Sequence, residues 1–321
     1  LEPGAGNGNF RDFALRSYGK TIAHLVLLNY SEKLWGIAPE DLAPAAAGKR
    51  LKGLSLKTFL IESVFGSRVK TEHLDGSFYY PEGGIRMIAE RLADFCGRER
   101  IFLNSRNTKV LHDERRILAL EVNGRDVVKA DWVVSSLPLS LFIRSLEPPP
   151  PQRILDLGRK LRFRDVKLVA FFLNRASVMK AATIYFPDRK YPFTRVYEPK
   201  NRDATLSPAE KTSVVAEIPF HESDEARAGD DRRLIQQVSS HLRALGWFRE
   251  EEILDTAVHT VSDAYPVFEL GYEEKVEKIM AYLRRFSNLR LCGRNATFSY
   301  AWIHSLVRQT KELIEKDILS S

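Results

Sequence analysis

Arginine, tyrosine and glycine residues near the ends of predicted strands are the residues of this sequence best suited to hold a ligand. Gly293 and Arg294 end a buried strand predicted over residues 289–294, and a helix is predicted over residues 301–318. Free backbone N–H groups and the dipole at that helix start favour an anion or the electron-rich edge of a cofactor ring. The alternative, in which Gly293 only relieves crowding in a turn, stays open.

Arg195 and Tyr265 mark two further candidate positions. Arg195 lies within an apolar strand predicted over residues 193–197, and Tyr265 precedes Pro266, which keeps the tyrosine extended. An arginine in a strand is usually an edge residue, but its guanidinium can also hold a phosphate in a fork of hydrogen bonds. Both interpretations of Arg195 are compatible with the sequence.

A turn with two adjacent glycines precedes a predicted helix over residues 85–95. In the segment Tyr80-Pro81-Glu82-Gly83-Gly84, the proline stops any helix before it. The two glycines permit a positive φ or the close approach of another group to the backbone.

The sequence carries no motif that identifies a reaction by itself. It contains no Gly-x-Ser-x-Gly, Walker loop, His-Glu-x-x-His or Cys-x-x-Cys, so no residue is assigned as catalytic. The seven histidines show no metal-ligand spacing, and no metal is expected. Residues 4–8 are rich in glycine, but no strand precedes them, which favours a flexible loop over a dinucleotide fingerprint.

Composition and charge exclude several classes of protein. With 44% hydrophobic and 28% charged residues among 321, the chain is neither disordered, collagen-like nor a coiled coil. No apolar run approaches the ~18–20 residues of a membrane span. Two cysteines are too few for a disulfide scaffold, so a cytoplasmic location is expected. The net charge of +7 comes from interspersed acids and bases, and no nucleic-acid partner is expected.

Periodicity predicts the elements that must position these residues. Helical spacing covers residues 10–30, 56–65, 85–95, 231–245, 274–286 and 301–318. Short β-rich segments separated by turn residues, such as Asn123-Gly124, predict strands. They cover residues 101–103, 108–111, 117–122, 132–134, 167–173, 183–186, 193–197, 212–218 and 289–294.

Six segments, taken in order, resemble the flavin-dependent amine oxidase and protoporphyrinogen oxidase superfamily, nearest its UDP-galactopyranose-mutase-like branch. Each motif is weak alone, but their order along nearly the whole chain is specific. They are residues 30–39, 80–84, 104–110 with 131–138, 193–201, 264–271 and 293–300.

The resemblance implies FAD as cofactor and assigns roles to individual residues. Val110 would touch the adenine half through its main chain, and Gly83 and Gly84 would admit the flavin ring. Gly293 and Arg294 would flank the flavin and its diphosphate, and the helix start at Trp302 and Ile303 would face the pyrimidine edge of the ring. The residues that resemble those holding a nucleotide-sugar diphosphate in mutases are Arg195, Tyr265 and Tyr300.

Two departures from the family pattern qualify this resemblance. Residues 301–309 lack the Asn- or Asp-containing stretch and the helix glycine of the mutase branch, which puts the mutase assignment in doubt. The family's opening strand–GxGxxG–helix unit is expected to lie before Leu1, and without it tight FAD binding by this chain alone is not expected.

The resemblance implies an α/β (mixed α+β) fold, with a partial Rossmann-like FAD-binding domain interleaved with an antiparallel-sheet substrate domain. Residues 1–84 would form a helical part of the substrate or cap domain, and 85–147 strands of the FAD domain. Residues 152–286 would form the antiparallel sheet with helices, and 287–321 the last strand and helix of the FAD domain.

The implied function is an FAD-dependent oxidoreductase of the amine-oxidase type, in an N-terminally truncated chain. The alternatives are a UDP-galactopyranose-mutase-like nucleotide-sugar enzyme and a non-catalytic, flavin-free binding module or subunit. The expected partner is a small molecule, either an amine or a nucleotide sugar. A homo-oligomer and a separate FAD-binding segment both stay open.

Overall fold

The computed structural model describes residues 8–47, 79–221 and 229–317, and the chain divides into two compact units. The first comprises Leu1–Ile101 and Arg164–Ala264, and the second Phe102–Phe163 and Tyr265–Ser321. The helix predicted over residues 56–65 and nearly all of the glycine-rich segment 4–8 lie outside the described residues. The four expected domain ranges stay a prediction.

Helices and strands are numbered here in chain order. The helices are α1 (Phe10–Ile22), α2 (Asn29–Trp35), α3 (Arg86–Cys96), α4 (Leu139–Arg144), α5 (Gln152–Arg159), α6 (Asp231–Ala244), α7 (Tyr272–Leu283) and α8 (Ile303–Asp317). The strands are β1 (Asn107–His112), β2 (Ile117–Val122), β3 (Asp126–Lys129), β4 (Val133–Ser135), β5 (Leu146–Glu147), β6 (Phe163–Leu173), β7 (Thr183–Tyr185), β8 (Arg195–Tyr197), β9 (Thr212–Phe220), β10 (Ile253–Pro266) and β11 (Leu289–Leu291).

The first unit is built on a five-stranded sheet in the order β10-β6-β9-β8-β7. Strands β6 and β9 pair antiparallel from Asp165↔Phe220 to Leu173↔Thr212. Alternate residues of β6 enter the core, where α6 covers the sheet with its own apolar side chains. The members of this core on β6 and α6 are Val169, Phe171, Leu173, Leu234, Val238 and Leu242.

The second unit contains a four-stranded sheet, β3-β2-β1-β5, and a two-stranded parallel sheet, β11-β4. The buried side chain of Asn288 joins them, because it donates to the carbonyls of Ile117 and Asp131 and accepts from the Ile117 N–H. The main-chain carbonyl of Asn288 also accepts from Val133 N–H at the start of β4. The starts of β4 and β11 are therefore held beside the start of β2.

The mixed fold class predicted from the sequence is confirmed by these helices and by the parallel and antiparallel sheets. The predicted strand over residues 101–103 is wrong, since these residues form a loop and turn in which Phe102 and Leu103 are each 79% exposed. The long strand β10 was not predicted, because its exposed polar residues interrupt the apolar pattern. The short helices α4 and α5 were also not predicted.

No helix in the described part of the chain is long and apolar enough to cross a membrane.

Truncation of Phe171 to alanine is expected to lower the stability of the first unit by about 3–5 kcal/mol, because it leaves a cavity in a fully buried site. Phe172→Ala is the matched control, since its neighbouring ring on the other face of β6 is 42% exposed. Thermal unfolding of both variants checks this. Equal losses in melting temperature would contradict the placement of the core.

Candidate functional site

In the second unit, the turn that follows β11 is closed by its own hydrogen bonds. Both the N–H and the hydroxyl of Thr297 donate to the carbonyl of Gly293, at 3.1 and 2.8 Å. Gly293 has a φ of +85°, and a Cβ at this position would lie 3.5 Å from the Cβ of Ser136. A Cβ at this distance would make an ordinary contact, so the positive φ is the stronger reason for glycine here.

Arg294 lies between two tyrosine rings. Its guanidinium carbon is 5.1 Å from the ring centre of Tyr265 and 5.2 Å from that of Tyr300. The structure thus brings together three residues predicted separately from the sequence, and we call them the Arg294 cluster. Cation–π attraction to both rings holds the positive charge at one position. A guanidinium flanked by two phenols can bind an anion such as a phosphate.

The start of α8 follows directly after the Arg294 cluster in the chain. Helix α8 begins at Ile303, and the Trp302 carbonyl accepts from the Leu306 N–H at 2.9 Å. Trp302 and Ile303 are both partly exposed, at 37% and 49%. The helix start predicted from sequence is therefore present, while its contact with a cofactor ring stays a prediction.

An aromatic group supports the turn from inside. Phe298 is buried with a φ of +46°, and its ring packs against Phe163, Phe268 and Tyr272 at centroid distances of 5.3, 5.9 and 5.8 Å. Burial raises the pKa of Tyr272 to about 12. The sequence analysis did not single out Phe298, although a large aromatic residue inside a polar turn is a usable signal of an anchored loop.

Val110 lines a cleft of about 560 Å³ in the same unit, formed by residues of β1, β2, β4 and α4. Its N–H donates to the Ser145 carbonyl at 2.6 Å, so this main-chain donor is used within the protein. Asn107, at the start of β1, also lines the cleft. Both polar atoms of its side chain are buried without a hydrogen-bond partner among the described residues.

In the first unit, the turn with Gly83 and Gly84 is bound to the loop after β8. The Gly83 N–H donates to the Asp203 carboxylate at 2.6 Å, and a Cβ on Gly84 would lie 3.1 Å from the Leu206 side chain. Hydrogen bonds from the Thr205 N–H and hydroxyl, and from the glycine N–H groups, lower the pKa of Asp203. Both glycines have a positive φ, as the sequence permits.

Arg195 lies on an interior strand, since β8 is paired between β7 and β9, so the interpretation as an edge residue is wrong. Its Nε and Nη2 both donate to one oxygen of Glu217, at 2.8 and 2.5 Å. The Glu217 carboxylate is nearly buried, and Arg195 neutralises its charge. A substrate role for Arg195 stays a prediction.

Tyr197 and Arg202 adjoin Arg195 and were not predicted. The Arg202 guanidinium lies 4.9 Å from the ring centre of Tyr197 and donates to the Thr183 hydroxyl at 2.9 Å. Burial, and then the charge of Glu217, raise the pKa of Tyr197. Arg202 lies in a polar loop after the strand predicted over residues 193–197. Its neighbours Lys200 and Asp203 are also charged, so the sequence did not distinguish Arg202 as a site residue.

The described residues include no group of three or more His, Cys, Asp or Glu side chains that could hold a metal ion.

Residues 37–300 match the family model of flavin containing amine oxidoreductases, which is more than half of the chain. The chain belongs to this family. The match includes both glycine turns and the Arg294 cluster. It confirms the resemblance to the flavin-dependent superfamily. It also agrees with FAD as the cofactor, because FAD is a flavin. No curated protein matches the chain.

Solved structures share the fold at low sequence identity. Reduced UDP-galactopyranose mutase aligns with a TM-score of 0.77 and 16% identity over 92% of this chain and 63% of its own. A double mutant of putrescine oxidase gives 0.68 and 16% over 99% and 71%. Cyclohexylamine oxidase from Brevibacterium oxydans IH-35A gives 0.64 and 13% over 98% and 71%.

The chain thus spans 63–71% of the length of these three structures.

The burial of Tyr272 predicts a loss of stability in alkali. The unfolded chain releases this phenol proton near pH ~10, whereas the folded protein holds it to about 12. The stabilisation is thus fully present below pH ~10 and is lost as the pH rises towards ~12. Tyr272→Phe removes this contribution, so its melting temperature should fall less than that of the wild type between pH ~9 and ~11.5.

Tyr79→Phe serves as the control, because the Tyr79 side chain is fully exposed. An alkaline melting curve of Tyr272→Phe that parallels that of the wild type would show that the phenol is not buried in solution.

Proposed function

We propose that this protein is a flavin-dependent oxidoreductase that removes a hydride from a substrate carbon next to nitrogen or oxygen. The family match over both units and the fixed cation of the Arg294 cluster support this proposal. Bound FAD would supply the hydride acceptor. The side chains of this chain would bind, orient and electrostatically support the reactants.

In the second unit, Gly293, Arg294, Trp302 and Ile303 are proposed to hold the flavin. Arg294 supplies a positive charge that the two tyrosine rings keep in place. The first N–H groups of α8 add partial positive charge near the same turn. Such an arrangement favours a phosphate or a ring edge on which negative charge develops. The donor set therefore fits an anionic flavin cofactor.

The cleft beside Val110 is proposed to hold the adenosine half. Its volume of about 560 Å³ suits a small ligand. The apolar wall around Val110 offers an apolar contact, and the exposed Arg106 on the same lining offers a positive charge. Since Val110 already donates its N–H to Ser145, this wall rather than that donor is the part of Val110 open to a ligand.

In the first unit, Gly83 and Gly84 are proposed to allow close approach of the flavin ring. Neither carries a side chain, and their backbone is held by Asp203. Arg195 is proposed as a substrate contact that shares its charge with Glu217. The substrate class is an amine or another small molecule, and a cytoplasmic location is part of the same proposal. A homo-oligomer and a separate FAD-binding segment both stay open.

A nucleotide-sugar mutase is the second candidate. It is favoured by the pairing of Arg294 with two phenols, because guanidinium and phenol groups bind diphosphate oxygens without requiring a base. The departure at residues 301–309 weighs against it. A non-catalytic, flavin-free module is the third candidate, and flavin binding separates it from both enzymes.

Arg294→Ala is expected to weaken flavin retention about tenfold, equivalent to ~1.4 kcal/mol, because it removes the fixed cation. The measurement is FAD titration of the full-length protein, followed by visible flavin absorbance and by the shift in melting temperature. Arg308→Ala is the matched control, since it removes the same charge from an exposed position on α8. Equal affinities of the two variants would contradict the role of Arg294.

If FAD gives neither bound absorbance nor a rise in melting temperature with the full-length wild-type protein, the flavin-free module is the better proposal.

The substrate role of Arg195 is tested with UDP as a diphosphate probe. Arg195→Gln/Glu217→Gln removes the guanidinium without leaving a buried, unpaired carboxylate, and it should lose UDP binding while flavin retention is unchanged. Glu217→Gln is the control, because it removes the carboxylate charge beside the guanidinium and should bind UDP at least as tightly as the wild type. Equal UDP affinities of the two variants would remove Arg195 from the substrate site and weaken the mutase candidate.

A further inference from the structure

In the first unit, a groove of about 1070 Å³ lies between the helical segment that follows α1 and the loop that follows β7. Side chains from residues 20–29 form one wall, and residues 187–189 form the other. This volume is at the upper end of the range for small-molecule sites. None of these residues belongs to the proposed flavin or substrate contacts, so the groove is a separate feature of the unit.

The helical wall contains a π-helical turn, Ala23–Leu28, between α1 and α2. The hydrogen bonds of a π-helix join residues five apart rather than four, so residues at intervals of four and five lie on one face. Lys20, Leu25 and Asn29 have this spacing, and all three line the groove. The π turn therefore places a cation, an apolar side chain and an amide along one wall.

The loop wall is fixed to the same helical segment. The Nζ of Lys33 on α2 donates to the carbonyls of Phe186 and Asp188, at 2.6 and 2.9 Å. The guanidinium of Arg189 forms an ion pair with Glu32, which is also on α2. Because α2 continues the π turn, these contacts hold the two walls apart at a set distance, and the groove is formed without a ligand.

Apolar side chains in the groove are open to solvent. Leu25 is 68% exposed and Val26 is 41% exposed, and Pro187 lies on the opposite wall. Adjacent apolar groups that face solvent in a concave site mark a binding surface. A hydrocarbon chain in the groove would cover them, and each methylene group removed from water strengthens binding about fourfold.

The charge left uncompensated at the groove is positive. The Asp188 carboxylate accepts from the Lys190 N–H at 2.9 Å and lies 3.5 Å from its Nζ, and Arg189 is paired with Glu32. Lys20 is exposed, and its ammonium has no hydrogen bond or ion pair among the described residues. An anionic group is therefore the complementary ligand for this end of the groove.

We propose that this groove binds a free amphipathic anion, a molecule with one negatively charged head group and an apolar chain. The head group lies at Lys20, where the Thr21 hydroxyl adds a hydrogen-bond donor, and the chain lies along Leu25 and Val26. Two facing walls fit a single molecule between them, whereas a membrane presents a flat surface. This site goes beyond the proposed flavin function and does not depend on it.

The test is calorimetric titration of the full-length protein with dodecanoate at neutral pH, below the concentration at which it forms micelles. Dodecanoate is expected to bind at least about tenfold more tightly than acetate, which lacks the chain, and than dodecylammonium, which carries the opposite charge. Equal affinity for dodecanoate and for either of the other two probes would overturn the proposal.

Two substitutions test the two parts of the site. Lys20→Gln should weaken dodecanoate binding about fivefold, and Leu25→Asn about tenfold. Both variants should melt at the temperature of the wild type, because both side chains are exposed. The matched controls are Lys316→Gln, in the last turn of α8, and Leu254→Asn, at a 51% exposed position on β10. Groove variants that bind dodecanoate as tightly as these controls would overturn the proposal.

Two further measurements exclude other uses of the groove. Sedimentation with vesicles of phosphatidylcholine and phosphatidylglycerol should not depend on Lys20. Vesicle binding that is lost in Lys20→Gln, without binding of monomeric dodecanoate, would assign the surface to a membrane and overturn the proposal. FAD retention should be the same in Lys20→Gln and the wild type. A protein that binds dodecanoate but not FAD would keep this site and contradict the flavin function.

Discussion

The geometry of the second unit depends on how one buried amide joins its two sheets. Asn288 bonds through its side chain to Ile117 and Asp131, and through its main chain to Val133. These bonds set β4 and β11 beside β2, so that the strand ends at Ser135 and Leu291 lie together in parallel register. The turn at Gly293 follows directly. Removing one partner would leave the others buried and unsatisfied, which makes this junction specific as well as stable.

Two asparagines of the same unit show that the fold can satisfy one residue type at one position and leave it without a hydrogen bond at another. Asn288 uses both its donor and its acceptor within the protein. Asn107 has buried polar atoms without a hydrogen-bond partner among the described residues, next to a cleft with an apolar wall. A residue type therefore does not determine a function, since what matters is whether the fold already satisfies the group. The same comparison applies to Arg195, which neutralises a nearly buried carboxylate, and Arg294, which lies between two rings.

Much of the fold could be predicted because its elements have clear local patterns. Helices α1, α3, α6, α7 and α8 follow apolar spacing, and β6 and β9 follow runs of β-branched and aromatic residues. The elements that escaped prediction have weak local signals. In β10 the exposed polar residues mask its length, whereas residues 101–103 have a strand-like composition but lie in a loop and turn. Pairing partners far along the chain decide such cases, since a strand needs a neighbour to satisfy its backbone.

The amino-acid sequence by itself determined the mixed fold class, the flavin family resemblance and the positions of glycines that adopt positive φ. These features are local, because backbone sterics and motif order do not require knowledge of distant contacts. Only the tertiary structure decided that Arg294, Tyr265 and Tyr300 form one cluster and that Arg195 is paired with Glu217. It also decided that the Asn107 side chain has no hydrogen bond within the described part of the chain. Charge neutralisation and hydrogen-bond satisfaction depend on residues brought together from distant parts of the chain, and spacing along the sequence does not encode them.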